Sequence, residues 1–315
     1  VFLKQILKLQ KGRCVVRSKL KEYGADGALL LVAIAWGLTF YPVQQAVEET
    51  PVYVFLFWRF LCATFLMGIL AWKNWRYIDA KSVRGGVFLG LFLFLGFAFQ
   101  TFGLTYAYSS TVAFITGLNV VIVPFIVFIF FKKRATMYSS IGAMLAAIGL
   151  YMLSAKGEIG AGLGEFYALV CAFMFALQIS FTAYYVKKCN IYVLVLVQFA
   201  TVTLLSLLGA IALDKVIMPK SFDGIFLEAI IITAVFATVF AFFVQTAMQR
   251  FTTPAKTAII FTMEPVSAGI VGYFWAGEAL NTAQLLGAGL ILSGILIAEL
   301  GTYWRTKSET KKAMV

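Results

Sequence analysis

PVYVFLFWRFLCATFLMG, residues 51–68, is an apolar run of helical length interrupted by one charge, Arg59. At 1.5 Å per residue such a run is long enough to cross most of a hydrocarbon layer about 30 Å thick. Runs of the same kind recur at roughly 26–46, 52–72, 85–106, 109–131, 137–155, 162–184, 191–213, 225–248, 255–275 and 281–300, the fifth being near the lower limit. The 315 residues are 62% hydrophobic and 13% charged, with 31 Phe and no His. A soluble domain of this length carries about twice that share of charge. The expected fold class is therefore an all-α membrane protein with ten transmembrane helices.

Orientation follows from the basic residues. With the N-terminus inside, the inner side receives seven Lys or Arg in the first 25 residues, then Lys73, Arg76, Lys81 and Arg84. It also receives Lys132, Lys133, Arg134, Lys187, Lys188, Arg250, Lys256 and four in the last tail, which makes 22 of 26. Lys156, Lys215 and Lys220 fall outside, with Glu48, Glu49, Glu158, Asp214 and Asp223. This bias fixes an even number of spans and places both termini in the cytoplasm. The expected organisation is a basic tail (1–25), a five-helix unit (26–155), a second five-helix unit (162–300) and a basic tail (301–315). The leading tail is not read as a signal peptide, because the apolar segment after it is about 20 residues long and lacks a small-residue cleavage site.

Several function classes drop out. The net charge of +12 sits in tails and joints instead of on one domain face, so no nucleic-acid partner is expected. Cys14, Cys62, Cys171 and Cys189 lack metal-ligand spacing and read as small hydrophobes. Without His or a carboxylate cluster, neither a metal centre nor a His-based triad can be assembled, and no cofactor is expected.

The two halves echo one another. AFQTFGLTYAYSSTVAF (98–114) is matched by AFFVQTAMQRFTTPAKT (241–257), each with a hydroxyl pair at a joint, Ser109-Ser110 or Thr252-Thr253. Gly142 and Gly149 in the fifth span parallel Gly287 and Gly294 in the tenth. Each pair lies about two turns apart, a small-residue stripe suited to close helix contact within the bundle or with a second copy in a homodimer. Five spans per half make the second copy enter from the opposite side, an inverted repeat with its site near midplane.

Some residues cost energy where they sit. Arg59 lies roughly 11 Å below the outer boundary, so it either serves the pathway or snorkels toward Glu48 or Glu49. Glu264, in FTMEPVSAG (261–269), is roughly 15 Å into the ninth span. A carboxyl at that depth finds a cation or hydrogen-bond donors, or takes a proton, which makes protons a candidate coupling partner; alternatively it ties one helix to another. Pro265 removes a donor beside it and is expected to bend the helix, as Pro124 does near Asn119 in the fourth span. Weaker members of the set are Trp36, Gln44, Gln45, Gln100, Tyr106, Gln178, Gln198 and Gln245, each a helix-to-helix hydrogen bond or part of a polar-lined path. Gln198 holds roughly the place in the second half that Arg59 holds in the first. Trp72, Trp75, Trp275 and Trp304 lie near span ends and suit the interface, and Glu278 marks a turn where it can cap the following helix or bond to the joint.

MEPVSAGIVGYFWAGEALNTAQLLGAGLILSGI (263–295) resembles the signature of the drug/metabolite transporter superfamily, in its EamA-like branch. The matching positions are Glu264-Pro265, Gly277-Glu278, Gln284, Gly287-Ala288 and Gly294. The first half is similar at Trp36-Gly37, Arg59, Gly142 and Gly149, so the likeness covers about 26–300. One departure is FFKKRATMYSS at the fourth joint, where the family often has a second Gly-Glu. The resemblance implies a permease of the inner (cytoplasmic) membrane, with relatives that mostly export amino acids, related metabolites or toxic small molecules.

The mechanism expected is alternating access about a central cavity that holds a small polar or amphipathic molecule. Its direction, and whether exchange or import runs without protons, stay open. A channel would need a filter-like repeat, and a membrane enzyme would group its polar residues at one interface; this chain shows neither pattern.

Overall fold

The computed structural model describes residues 2–132, 137–154, 162–248, 251 and 260–313. Lys133, Arg134, Lys156, Glu158, Arg250, Thr252, Thr253, Lys256 and the start of the ninth expected span lie outside the described residues, and so do the side chains of both tails, Cys14 and Trp304 included.

Every described element is helical. The helices are α1 (Phe2–Glu49), α2 (Val52–Ala71), α3 (Ala80–Tyr106), α4 (Ser109–Thr116), α5 (Asn119–Phe131) and α6 (Met137–Ser154), then α7 (Leu163–Tyr185), α8 (Ile191–Gly209), α9 (Gly224–Ile232), α10 (Ala241–Met248), α11 (Met263–Phe274) and α12 (Thr282–Ala313). A 3₁₀ turn, Trp72–Tyr77, extends α2. Wider π-helical stretches, Ala210–Asp214 and Thr233–Phe240, extend α8 and join α9 to α10. Among the described residues, seven helical rods are long and apolar enough to cross a membrane, and Ser140–Gly149 and Thr282–Ile297 are shorter apolar helices. The protein is an all-α, multi-span membrane protein.

The ends have local causes. Asp79 accepts from Ser82 N at the start of α3, Asn190 from Tyr192 N at α8, and Asp223 from Phe226 N at α9. Asn281 and Gln284 exchange side-chain and backbone bonds in a reciprocal box at α12. The bond from Phe226 holds the Asp223 carboxyl below the usual carboxylate range. Both terminal helices run farther than the apolar pattern implies, α1 back to Phe2 and α12 on to Ala313. The N-terminal tail is rich in Lys, Arg, Leu and Gln and the C-terminal tail in Lys, good helix formers, and neither contains a proline to stop the helix.

Pro124 and Pro265 each lie downstream of an interruption in their rod. The α4–α5 rod is interrupted at Gly117 and Leu118, upstream of Pro124, which sits inside α5. Pro265 falls in the first turn of α11, just after Thr262. Ile260 and Phe261 before it are helical and Thr262 is a turn, so the rod is interrupted about one turn ahead of Pro265.

Packing pairs α2 with α8, α3 with α7 and α8, α1 and α4 with α11, and α6 with α12. Phe60 stands edge-on to Phe97 and Phe199 at 5.1 and 5.9 Å, anchoring the largest apolar cluster. The glycine stripes meet each other: a Cβ on Gly149 would lie 2.5 Å from the Gly287 carbonyl, and one on Gly294 would lie 2.5 Å from that of Gly142. They are therefore filled within the chain. Outward-facing Phe65, Ile69, Tyr151 and Phe274 are exposed, as lipid-facing positions are.

Candidate functional site

Trp36, Thr39, Phe40 and Val43 recur at intervals of three and four along α1 and so share one face. That face lines a cavity inside the helix bundle. Phe97, Gln100 and Leu104 reach it from α3, Phe175, Gln178 and Ile179 from α7, and Phe242 and Gln245 from α10. Arg59, Asn119, Phe261 and Glu264 complete its lining. Among the pathway residues expected from the sequence, Gln44, Gln45, Tyr106 and Gln198 do not line it.

Arg59 is 3% exposed. Its Nε donates to Thr238 Oγ1 at 3.0 Å, and its guanidinium carbon lies 4.4 Å from the Phe97 ring centroid and 5.5 Å from that of Phe60. Among the described residues it forms no ion pair. Glu48 and Glu49, which a snorkelling arginine would seek, line a separate pocket with Lys220 and Asp223. The guanidinium is held inside by a hydroxyl and an aromatic face.

Glu264 is 7% exposed and occupies the first turn of α11, where the helix dipole favours negative charge. Among the described residues no cation or hydrogen-bond donor engages its carboxylate. Its backbone is held from two sides. Ser267 Oγ donates to the carbonyls of Met263 at 2.7 Å and Glu264 at 3.0 Å. Gly37 of α1 lies so close that a Cβ there would overlap Ser267 Oγ and the Glu264 carbonyl and come within 2.9 Å of Ala268 N. Only a glycine lets α1 approach the helix that carries the acid.

The amides split into two kinds. Asn119 Oδ1 and Gln245 Oε1 are buried and have no hydrogen-bond partner among the described residues, a costly state unless a ligand or water serves them. Gln178 Nε2 donates to Gln198 Oε1 at 3.1 Å, and Gln198 Nε2 donates to the Leu194 carbonyl at 3.3 Å. Gln198 thus stands behind the wall and fixes the glutamine in front of it. Trp36 Nε1 donates to the Ala237 carbonyl at 2.9 Å, an acceptor in the same π-helical stretch that supplies Thr238.

Three weaker candidates face elsewhere. Gln44 donates to the carbonyls of Leu104 and Ala107, Gln45 donates to Tyr41 Oη, and Tyr106 is exposed beside Tyr167. Glu278 does not cap the helix that follows it. Its carboxylate accepts from Ser109 N at 2.8 Å, Ser109 Oγ at 2.6 Å and Ser110 N at 3.1 Å, at the start of α4.

Sequence reasoning missed Thr39, Thr238 and the aromatic walls Phe40, Phe97, Phe175, Phe242 and Phe261. A usable signal existed for most of them. They lie three or four residues from Trp36, Gln100, Gln178, Gln245 or Glu264, on the helix faces those residues had already marked. Chemically, the site offers one cation and one carboxylate not paired with each other, two amide acceptors awaiting donors, and apolar rings between them.

The chain matches the EamA-like transporter family over residues 24–155 and 162–300. It is 31% identical over 281 residues to an uncharacterized transporter of Archaeoglobus fulgidus, covering 89% of this chain and 87% of that one. It is 22% identical to the uncharacterized inner membrane transporter YedA of Escherichia coli K12, covering 88% and 91%. A crystal structure 16% identical in sequence superposes with a TM-score of 0.65 over 88% of this chain and 97% of its own, which shows a shared fold.

Proposed function

The chain belongs to the EamA-like transporter family, and from that premise we propose that it exports a small zwitterion with an apolar side group, of the amino-acid type, by alternating access. It is a multi-pass transport protein of the inner (cytoplasmic) membrane, not an enzyme. The observation that carries the proposal is the pair Arg59 and Glu264, lining one cavity without neutralising each other. A carboxylate and an ammonium on one substrate would satisfy both, the amide oxygens of Asn119 and Gln245 would receive further donors, and Trp36, Phe97 and Phe242 would take the apolar part.

The working architecture is ten spans as a 5+5 inverted repeat, 26–155 and 162–300, with both basic tails in the cytoplasm. The helix pairing supports it. Numbering the rods one to ten in chain order and exchanging each with the one five places on, the 2–7, 4–9 and 5–10 contacts map onto themselves. The 3–6 contact maps onto 8–1, and 1–9 maps onto 6–4. Rods 1–4 and 6–9 would rock about the cavity, while α6 and α12 brace the bundle through their facing glycines.

Glu264 is the carboxyl placed to exchange a proton for substrate. Purified protein in liposomes tests this: with wild type, an imposed pH gradient drives uptake of radiolabelled amino acid, and Glu264→Gln abolishes the response. Equal gradient-driven flux in the variant would sink proton coupling and leave facilitated exchange.

A further inference from the structure

The starts of α2, α4, α5, α7 and α11 have no side-chain cap from their own N-cap residues, and α2 and α4 are set apart by what takes the place of one. Their N-cap residues, Pro51 and Tyr108, provide no side-chain acceptor, whereas α3, α8, α9 and α12 are capped by the Asp or Asn beside them. Both missing caps come from the far half of the chain, and both are carboxylates. Asp214 Oδ2 accepts from Tyr53 N at 3.1 Å and Val54 N at 3.3 Å. Glu278 accepts its three bonds from Ser109 and Ser110.

The sites are shaped to deliver these acids. Gly277 has φ +63, a left-handed turn that points the chain back before Glu278, which is itself 6% exposed. Gly272 leaves the room that the Glu278 carboxylate fills, since a Cβ there would overlap Oε2 and lie 3.3 Å from Ser110 Cβ. At Asp214, the close approach of Gly209 to Tyr53 and the bond from Trp58 Nε1 to the Ile217 carbonyl, 3.1 Å, hold the second half against α2. At the α2–α3 and α7–α8 joints, on the opposite face, the halves touch through a neutral pair, Asn190 Nδ2 to Asn74 Oδ1 at 3.3 Å. Charge-assisted bonds are roughly twice as strong as neutral ones.

We propose that Asp214 and Glu278 are the latch of the outer face, positioning residues that hold α2 and α4 against the second half and let go when that face opens. The assignment rests on the alternating-access reading and orientation above, because only motion between the halves requires the bonds to part. Closure then comes from two carboxylates on helix N-termini, and the cavity wall need not move to provide it.

The test needs no substrate. A cysteine placed at Val43, the cavity-lining residue of α1 nearest Glu49, is labelled in the full-length protein by a membrane-impermeant thiosulfonate. The reagent is applied to intact cells and, separately, to inverted vesicles, against the same chain without the added cysteine. Glu278→Gln and Asp214→Asn are expected to raise the outside labelling rate about five-fold or more and lower the inside rate. Ser109→Ala, which deletes one of the three bonds to Glu278, raises it less. Labelling rates unchanged on both sides in folded variants, even with a lowered melting temperature, would make the carboxylates plain helix caps and overturn the latch. If Glu278→Gln does not fold, Ser109→Ala and Asp214→Asn decide by the same criterion. A rise confined to the cytoplasmic side would support the latch and overturn the orientation instead, so the two failures are distinguishable.

Discussion

Replacing Arg59 by Gln separates a binding arginine from a structural one, because the two roles predict opposite combinations of effects. The wild-type side chain gains a hydrogen bond to Thr238 and a cation–π contact with Phe97. Together these are worth about 1–3 kcal/mol. Against that stands the desolvation of a charge that is 3% exposed and has no ion-pair partner among the described residues. That effect costs several kcal/mol. Removing the charge should leave the melting temperature unchanged or raise it by a few degrees. Substrate binding moves the other way. Loss of a charge-assisted bond to a substrate carboxylate costs about 1.5–3 kcal/mol, or roughly 10- to 150-fold in Kd. The assay pairs thermal unfolding of the purified protein with transport kinetics in liposomes. A marked fall in melting temperature with unchanged KM would refute the reasoning and make Arg59 a structural anchor.

Gly149→Ala and Gly294→Ala each bring a methyl group to 2.5 Å from a facing carbonyl, where ordinary contact needs about 3.3 Å. Each should destabilise the protein by about 1–3 kcal/mol. The double variant should cost less than the sum, since one separation of α6 from α12 relieves both clashes. Unchanged thermal stability accompanied by a shift from dimer to monomer would instead place the glycines between copies. Gln198→Leu removes the acceptor that fixes Gln178 without touching the cavity; KM should rise roughly 2- to 10-fold with kcat retained. An unchanged KM would remove Gln198 from the account of the site.

What the sequence makes legible follows from the solvent. In hydrocarbon a polar side chain has no water to fall back on, so Arg59, Asn119 and Glu264 stand out from composition and depth alone, and Gln245, nearer the end of its span, only as a weaker member of the set. The structure brings all four to one cavity. The same logic fails near the rod ends, where water is close and an amide costs little; Gln44 and Tyr106 sit there and face other partners. The π-helical stretch TAVFATVF reads like any apolar segment, so nothing local announced that it would offer Thr238 to Arg59 and the Ala237 carbonyl to Trp36. Glu278 was visible as a turn acid, but its cap on α4 spans 169 residues of sequence, beyond any local capping rule.

The proposed duplication gives the charge placement a further meaning. Arg59 has the neutral Gln198 as its counterpart, and Glu264 has the neutral Asn119, so each half contributes one charge and each mate is an amide. A strictly symmetric chain would set two arginines and two glutamates around the cavity, and a bound zwitterion could then lie either way round. One cation and one anion, on α2 and α11, give the site a single dipole and therefore a single preferred orientation of substrate. The amides at the mate positions keep polarity without charge. Gln198 spends its polarity on fixing Gln178, and Asn119 leaves an acceptor free in the wall. Restoring charge symmetry with Asn119→Asp should therefore weaken binding of a substrate carboxylate through like-charge repulsion, while leaving a neutral amide analogue of the same substrate less affected. Competition by the two compounds against labelled substrate measures the difference. Equal losses for both would mean that shape, not charge, orients what the cavity holds.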